Sequence, residues 1–501
     1  MGVMSSEEQA RSSEPREGEQ PQTSAESGYP EERAGKWIVL FIVAIGVFMA
    51  TLDSSIVNIS LPKISAYFGV PLNGAVEWVI IAYLIVIASI LLTFGRLTDI
   101  LGRKLLWVIG LIVFTAGSAL CGAAPSLGLL IAFRALQGIG GALLMAISPA
   151  MITRAFPSSE RGRALGLNAL VVATGTSAGP SIGGLLTQVA SWRWIFYINV
   201  PIGIIGVLLT LKLLSEPMRP RRSGQRFDPM GAGLLSLGMV ALVLALSFGQ
   251  ELGWGSRRVV GLFVGSAIVL VVFFITERRV RQPIVDLKLF RSRLFSAALV
   301  SSFLSFLALF AVTFLLPFYL EQQRGFGPEK AGFLLTPVPL TISVVAPFSG
   351  WLSDRFGSQA LSSLGLAIGS LGLWFLSNLS PHASLFAIIW PLIITGFGQG
   401  LFQSPNNSAI MGSVPRERLG VASGFLATVR VLGQSLSVAV AGAIFATQGG
   451  SAAGALIRQA SGARRTALEA TFSQAFHAAL ITCMLIASFG VITSLVRGRA
   501  R

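Results

Sequence analysis

The 501-residue sequence has little charge, only two histidines and only two cysteines. Charged residues make up 12% of the chain and hydrophobic residues 53%. Because a soluble domain carries about 25% charged residues, this composition excludes an ordinary globular enzyme. His382 and His477 lie far apart and lack the spacing of metal ligands. Cys121 and Cys483 both lie inside apolar runs, so neither a disulfide framework nor a thiolate metal site is expected.

Acidic residues are also scarce, and many of them lie at the start of the chain. There are 22 Asp and Glu against 38 Lys and Arg. The leader, residues 1–35, is rich in Glu, Ser, Gln and Pro, which predicts a disordered segment. It has neither the basic start nor the apolar core of a signal peptide. The net charge of +16 does not indicate nucleic-acid binding, because the cations fall in loops between apolar runs.

Long apolar runs dominate the rest of the sequence. Runs of about 18 to 25 apolar residues can cross a bilayer core. Fourteen such spans lie near 37–59, 76–95, 105–123, 127–151, 164–188, 193–214, 229–249, 259–276, 296–320, 331–353, 359–378, 385–411, 419–446 and 474–495. They predict an all-α integral membrane protein with two six-helix bundles and two additional central spans. The expected segments are the leader, an N-terminal bundle (36–215), two extra spans with their linkers (216–295), a C-terminal bundle (296–496) and a short basic tail (497–501).

Lys and Arg are concentrated in alternate loops. Cations such as Arg103, Lys104, Arg161 and Arg163 fall in loops on the side of the N-terminus, and few fall in the other loops. This bias predicts an inner (plasma) membrane protein with both termini in the cytoplasm. One long outer segment, 447–473, contains the stretch Ala455–Glu469. That stretch is interpreted either as an amphipathic helix lying on the membrane surface or as a flexible linker.

A short charged turn bracketed by glycines occurs twice. Residues 95–104 read GRLTDILGRK and residues 350–357 read GWLSDRFG. The carboxylate of the first turn is predicted to bind the positive N-terminal end of a facing helix or a basic side chain, which would latch the cytoplasmic side. The second turn keeps its Asp but loses the Arg-Lys ending, so a weaker latch is expected there. The gating candidates are Gly95, Asp99, Gly102, Arg103, Lys104 and Asp354.

Two opposite charges are predicted to lie inside the membrane. Asp53 falls in the first span and Arg134 in the fourth, both in the outer half of a core about 30 Å thick. Burying an ionisable group in hydrocarbon costs at least about 2.5–3.5 kcal/mol on insertion scales, so these residues should face a cavity or each other. A cation favours the charged carboxylate and desolvation favours the neutral one. The pair is therefore interpreted as a proton-coupling site; the alternative is a static ion pair that fixes helix packing.

Glycines recur at every fourth position of the fifth span. Gly175, Gly179 and Gly183 share one helix face, Gly184 follows, and Pro180 is expected to bend the helix. Small residues let a neighbouring helix approach closely. The pattern predicts a contact that seals the outer mouth in one state and parts in the other. The alternative is ordinary small-residue packing.

Polar residues inside the spans are candidates for lining a substrate cavity. They are Asn58, Gln137, Gln399, Gln403, Asn406, Asn407, Arg430 and Gln434. The glycines and the proline of residues 396–407 predict a broken or bent helix at mid-membrane. The phenylalanines at 303, 306, 310 and 314 form a stripe that is more typical of lipid contact or packing than of substrate binding. Few convergent hydrogen-bonding groups favour bulky lipophilic cargo over sugars.

Several of these segments resemble known transporter motifs. The turn at 95–104 resembles the loop signature of the major facilitator superfamily. The segment 52–62, LDSSIVNISLP, resembles the first-helix signature of 14-span drug:proton antiporters (EmrB/QacA-like). The segment 134–141, RALQGIGG, resembles the fourth-helix motif that the superfamily associates with proton translocation. The segments 175–184 and 192–203 are similar to the fifth-helix antiporter motif and to a segment typical of the 14-span branch.

This resemblance extends over nearly the whole chain and implies a major facilitator fold. It also implies multidrug efflux, and hence antibiotic resistance, by export of lipophilic or cationic compounds in exchange for protons. The proton gradient would take the place of a cofactor, and no Walker-type loop indicates an ATP-driven pump. Two rivals stay open: an exporter of an endogenous lipid, siderophore or metabolite, and an uncoupled facilitator or sensor. The expected partners are small substrates, protons and the lipid bilayer. A monomer is the expected working unit, no enzymatic activity is expected, and nothing in the sequence specifies a periplasmic adaptor.

Overall fold

The computed structural model describes residues 32–70, 75–214, 227–280 and 283–497, and their regular structure is helical throughout. The α-helices are α1 (Glu32–Phe68), α2 (Trp78–Leu101), α3 (Arg103–Ala123), α4 (Leu127–Ala155), α5 (Arg161–Val189), α6 (Trp194–Tyr197), α7 (Asn199–Leu213), α8 (Pro229–Leu252), α9 (Arg257–Glu277), α10 (Arg293–Phe318), α11 (Pro328–Leu335), α12 (Pro337–Phe356), α13 (Ser358–Ser377), α14 (Leu385–Gly412), α15 (Leu419–Thr447), α16 (Gly450–Ile457) and α17 (Gly462–Val496). Most of the predicted leader, part of the predicted linker and most of the basic tail lie outside the described residues.

Fourteen helical stretches are long and apolar enough to cross a membrane, which confirms the predicted number. The sixth combines α6 and α7, and the tenth combines α11 and α12. The second stretch ends at Leu101 rather than at 95. The helix continues into the charged turn because side chains of that turn have partners in the fold, as described below.

The outer segment 447–473 is neither one surface helix nor a flexible linker, so both interpretations were wrong. It forms α16 and the first turns of α17, which residues 458–461 separate; Gly462, the first residue of α17, has a φ of 57° in the left-handed region that glycine tolerates. Ile457 of α16 is buried with Phe472 of α17 in the apolar core of the C-terminal bundle. The side-chain amide of Gln323 donates to the hydroxyl of Ser473 at 2.8 Å. These contacts hold the segment against the bundle.

The helices form two six-span bundles and one attached pair. In the N-terminal bundle α4 packs against α1, α2 and α3, α5 packs against α1, and α7 packs against α3. In the C-terminal bundle α14 packs against α12 and α13, and α10 packs against α15 and α17. The extra helix α8 lies against α2 and α15, one helix from each bundle, while α9 packs mainly on α8. The extra pair therefore covers one side of the seam between the bundles.

Helix α14 is continuous from Leu385 to Gly412, so it is not broken, and the bend that the sequence offers as the alternative stays a prediction. Its glycines allow close helix packing instead. A Cβ added at Gly398 would overlap the backbone of Gly369 on α13, and one added at Gly396 would overlap the backbone of Val338 on α12. The backbones can approach this closely only because no side chain separates them.

We expect Gly398→Ala to lower the thermal stability of the purified protein. The added methyl group would meet backbone atoms that cannot rotate away, and such overpacking costs about 1–3 kcal/mol. Gly265→Ala on α9 is the matched control, because nothing lies within 4 Å of its added Cβ. In that open position alanine should be neutral or stabilising by up to about 1 kcal/mol. Melting curves in one detergent measure both variants, and equal shifts would contradict the close contact of α13 and α14.

Candidate functional site

Asp53 accepts three hydrogen bonds inside the N-terminal bundle. Its Oδ2 accepts from Nη1 of Arg134 at 2.7 Å, and its Oδ1 accepts from Nε2 of Gln137 at 2.8 Å and from Nδ2 of Asn199 at 3.0 Å. These side chains come from α1, α4 and α7 and are at most 1% exposed. The structure thus brings together the two residues predicted to pair, and it adds two amides to them.

The guanidinium of Arg134 is fixed by contacts on its edge and on its face. Its Nε donates to the carbonyl of Val79 at 2.9 Å, and its Nη1 also donates to Oε1 of Gln137 at 2.7 Å. Its central carbon lies 4.1 Å from the ring centroid of Tyr83, a cation–π contact. A planar group held in this way presents its donors to the carboxylate in one orientation.

Sequence reasoning missed three members of this network: Ser118, Tyr83 and Asn199. The hydroxyl of Ser118 accepts from Nε2 of Gln137 at 2.6 Å and from Nδ2 of Asn199 at 3.3 Å. Asn199 lies inside a segment noted only for its family resemblance. The sequence offers one further indication of its role, which is that Asn199 is a polar residue in an apolar run. That indication does not specify which helix its side chain faces.

A cavity lies between the two bundles. Its lining comes from α1, α4, α5, α10, α14 and α15: Val47, Thr51, Met145, Ser148, Pro149, Leu165, Asn168, Ala169, Val172, Phe306, Gln403, Asn407, Leu426, Ala427 and Arg430. Aliphatic and aromatic side chains are mixed with a few amides and hydroxyls. One phenylalanine of the predicted stripe, Phe306, faces this cavity rather than lipid.

Only some of the predicted cavity residues line this cavity. Gln403, Asn407 and Arg430 do so. Gln137 belongs to the Asp53 network, and the lining does not include Asn58, which is exposed elsewhere. Gln399 and Gln434 also fall outside the lining.

Asn406 is a structural residue, not a cavity residue. Its Nδ2 donates to the carbonyl of Ala298 at 3.0 Å, and its Oδ1 accepts from Nη1 of Arg497 at 3.1 Å. Arg497 also donates to the hydroxyl of Ser362 at 3.2 Å. Burial lowers the pKa of Arg497 to about 10, so its side chain is still charged at neutral pH. Adjacent side chains of an α-helix point about 100° apart, so Asn406 faces away from the cavity that its neighbour Asn407 lines.

The first charged turn binds the start of α15 across the bundle seam. Both carboxylate oxygens of Asp99 accept backbone N–H groups, from Gly420 at 2.9 Å and from Val421 at 3.1 Å. Unpaired N–H groups and the helix dipole make a helix N-terminus a favourable place for an anion. Nη2 of Arg103 lies 3.7 Å from Oδ1 of Asp99 and donates to the carbonyl of Arg416 at 3.3 Å. The predicted contact with a facing helix is therefore present.

Glycines of the first turn allow this approach. A Cβ added at Gly95 would overlap the carbonyl of Gly420, and Gly102 has a φ of 95° between α2 and α3. Lys104 does not reach across the seam: its Nζ donates to the carbonyl of Leu214 at the end of α7. Its described hydrogen bond thus lies within the N-terminal bundle, and a gating role for Lys104 stays a prediction.

The second charged turn makes the same contact with the start of α5. Asp354 accepts the backbone N–H of Gly162 at 2.8 Å and that of Arg163 at 3.0 Å. Gly357, like Gly102, has a positive φ, of 85°. A Cβ added at Gly350 would overlap the carbonyl of Gly162. Asp354 and Asp99 accept the same number of backbone N–H groups, but the first turn also carries the bond from Arg103 to the carbonyl of Arg416, so the weaker second latch stays a prediction. We call the contacts of Asp99 with α15 and of Asp354 with α5 the latch. We call the end of the two bundles at which they lie the latch side.

The predicted outer gate forms a contact within one bundle. Added Cβ atoms at Gly175 and Gly179 would overlap side chains of α1, so the predicted close packing is present there. Gly183 is buried, whereas Gly184 has nothing within 4 Å of its added Cβ. Helix α5 continues through Pro180 without a break from Arg161 to Val189. A gating role for these residues stays a prediction.

The structure has fourteen membrane-length helices and a cavity between two bundles. The bundles are joined at one end by two equivalent contacts, each between an Asp and a helix N-terminus. This architecture is that of a membrane transporter. Residues 43–438 match the family model described as Major Facilitator Superfamily. The chain therefore belongs to the Major Facilitator Superfamily. The family identification made from the sequence motifs is confirmed, as is the prediction that the protein is a transporter and not an enzyme.

Related proteins and structures agree with this assignment. The riboflavin transporter RibZ of Clostridioides difficile (strain 630) is 37% identical over 413 residues, which are 82% of this chain and 88% of that protein. The multidrug resistance protein Stp of Mycobacterium tuberculosis (strain CDC 1551 / Oshkosh) is 34% identical over 410 residues, 82% of this chain and 76% of that protein. The crystal structure of the human organic anion transporter MFSD10 (TETRAN) superposes with a TM-score of 0.63 at 15% identity, over 92% of this chain and 99% of that one. At this low identity the structural likeness supports the fold alone.

We expect Asp99→Asn and Asp354→Asn each to shift the protein toward the state in which the latch side is open. Each removes the charge from a helix N-terminus, an interaction worth about 0.3–2 kcal/mol. Moving a population from 1:99 to 99:1 takes about 5.5 kcal/mol, so each shift should be partial and the double variant should shift further. Distances between spin labels on the latch-side ends of α5 and α12 measure the populations.

Asp228→Asn is the control for these variants. Asp228 caps its own helix, α8, through the N–H of Gly231 at 3.0 Å and does not join the bundles through that bond. Its substitution should leave the label distances unchanged. If the control moved the distances as far as the latch variants do, the two Asp contacts would not be the latch.

Proposed function

We propose that this protein exports lipophilic small molecules in exchange for protons, by alternating access to the central cavity. In this proposal it lies in the inner membrane as a monomer, with both termini and the latch side in the cytoplasm. The bias of Lys and Arg toward those loops supports this orientation. A closed latch side then corresponds to the outward-facing state of a rocking transporter.

The observation that carries the proposal is the buried carboxylate of Asp53 with its one cation and two amides. The two oxygens of a carboxylate without a proton can only accept hydrogen bonds, and here they accept from Arg134, Gln137 and Asn199. Protonation removes the charge and turns one oxygen into a donor. The side-chain amide of Gln137 or Asn199 must then rotate so that its oxygen, and not its nitrogen, faces the protonated carboxyl group. The arrangement therefore has two hydrogen-bonding states that differ by one proton.

Helices shared by the two sites supply a route from this proton to the cargo. Helix α1 carries Asp53 and, two residues earlier, Thr51 of the cavity lining. Helix α4 carries Arg134 and Gln137, and further along Met145 and Ser148 of the lining. A change in the ion pair that shifts α1 against α4 would alter the cavity. This continuity favours coupling over a static ion pair.

The names of the relatives support export of drug-like compounds and leave one second candidate. Stp is named a multidrug resistance protein, which agrees with lipophilic cargo. RibZ is named a riboflavin transporter, which supports a transporter of one metabolite on the same scaffold. A growth-resistance panel of chemically varied compounds, with riboflavin uptake measured alongside, separates the two. Resistance to several unrelated compounds supports efflux, whereas transport of riboflavin alone supports the second candidate.

We expect Asp53→Asn to abolish proton-driven transport while substrate exchange at equal pH continues. The substitution removes the titrating group with little change in volume, and exchange of substrate for substrate needs no net proton movement. Everted vesicles loaded by a proton gradient measure the first activity, and proteoliposomes without a gradient measure the second. Glu160→Gln is a control, because Glu160 pairs with Lys36 at 2.6 Å away from this site. Loss of both activities together would support the static ion pair, and retention of gradient-driven transport would exclude Asp53 as the proton carrier.

We expect Arg134→Lys to slow turnover much more than it lowers stability. Lysine keeps the charge but cannot reproduce the edge contacts to Val79 and Gln137 or the stacking on Tyr83. The ammonium would still balance Asp53, so the bundle should fold. Transport rates in proteoliposomes and melting curves measure the two effects. A variant that loses stability but transports at the wild-type rate would show that the planar group serves packing alone.

A further inference from the structure

The central cavity contains a single charge. Arg430 of α15 is the one charged side chain among the described lining residues. Its Nη2 makes one described hydrogen bond, to the sulfur of Met145 at 3.7 Å, and a thioether is a weak acceptor. None of the ion pairs within the described residues includes it. The guanidinium therefore faces the cavity with most of its donors unused.

Arg430 differs from Arg134, the other cation that the sequence places inside a membrane span. Arg134 lies against the carboxylate of Asp53, with 2.7 Å between the nearest atoms. Charges at this depth are unfavourable unless they are paired or serve a ligand. Arg430 lacks the protein partner that Arg134 has. A ligand that enters the cavity is the remaining source of a counter-charge.

The groups around Arg430 add hydrogen-bond donors and an apolar wall. The amides of Asn168, Gln403 and Asn407 line the same cavity. The oxygen of Asn168 accepts from Ser148 at 3.3 Å, which leaves its amide nitrogen free of partners among the described residues. Phe306 and Leu426 belong to the apolar part of the lining. Donors beside an aromatic and aliphatic wall match a molecule with an oxyanion at one end and an apolar body.

Cationic cargo finds no counter-charge in this cavity. The described lining includes neither Asp nor Glu. The nearest acid along α1, Asp53, is 0% exposed and already accepts from three side chains. A cation in the cavity would meet Arg430 and be repelled by it.

We infer that Arg430 binds an anionic group of the cargo, and that the preferred substrates are amphiphilic organic anions. The anion is a carboxylate or a similar planar oxyanion, which a guanidinium can bind through two parallel hydrogen bonds. This inference rests on the proposed transport function and narrows its substrate class. It replaces the cationic cargo implied by the family resemblance with cargo of the opposite charge.

Binding of three matched probes to the purified protein tests this inference. The probes are pyrene-1-butyrate, its methyl ester and 1-pyrenebutylammonium, which share one apolar body and differ in charge. Equilibrium dialysis in detergent at neutral pH measures each affinity. We expect the carboxylate to bind about 10- to 100-fold more tightly than the ester, the range for a hydrogen bond to a charged group. The ammonium should bind more weakly than the ester. Equal affinity for all three probes, or a preference for the ammonium, overturns the inference.

Variants assign any preference to Arg430. Arg430→Gln should remove the preference for the carboxylate and leave the affinity for the ester unchanged. Arg458→Gln is the matched control, because Arg458 is exposed and donates to the carbonyl of Glu321 outside the cavity. Gln403→Glu keeps Arg430 and adds a negative charge to the same cavity, so it should also remove the preference, and it provides a second test if Arg430→Gln does not fold. A carboxylate preference that survives both substitutions excludes Arg430 as the anion site.

The binding assay and the transport assay test the two proposals independently, so either proposal can be contradicted without the other. Dialysis uses no gradient, so its result does not depend on proton coupling. If the carboxylate is preferred but no probe accumulates in energised vesicles, the anion site stands and the proposed proton-driven export is wrong. If probes accumulate without regard to charge, export stands and the anion site is wrong.

Discussion

The constraint on which this structure depends is that a bilayer core has no water to solvate charge. Each ionisable group placed there must find a partner in the protein or face a cavity. Asp53 and Arg134 meet this constraint by pairing with each other and with two amides at almost complete burial. Arg430 meets it by facing the central cavity. The same physical rule thus produces a closed charge network in one bundle and an open charge between the bundles.

The latch uses a weaker form of the same electrostatics. Asp99 and Asp354 bind backbone N–H groups at the starts of α15 and α5, so each bundle contributes one acid and one helix end. Such contacts are worth little individually, which suits a joint that would open in every cycle of the proposed alternating access. The glycines on both sides of the seam let the backbones approach closely enough for these bonds to form. The extra helix α8 contacts α2 and α15 on one side of the seam between the bundles. In the segment that follows the extra pair, Asp286 forms an ion pair with Arg418 at 3.2 Å.

Proton coupling and cargo binding would use different charges under our proposals. The Asp53 network lies within the N-terminal bundle, whereas Arg430 comes from the C-terminal bundle and reaches the cavity between them. Helices α1 and α4 carry residues of both sites, so movement within one bundle can change the cavity without direct contact between proton and cargo.

The sequence by itself determined the number of membrane spans, the family and the two charged turns, because hydropathy, chain length and motif spacing are local properties. It also placed Asp53 and Arg134 at similar depth, since depth follows from position along a span. Only the tertiary structure decided which polar residues face one another. Asn406 and Asn407 are adjacent, yet one binds Arg497 and the other lines the cavity. Asn199 and Ser118 join Asp53 from two further helices. The rotation of each helix about its axis selects these partners, and that rotation is set by packing against neighbours distant in the chain.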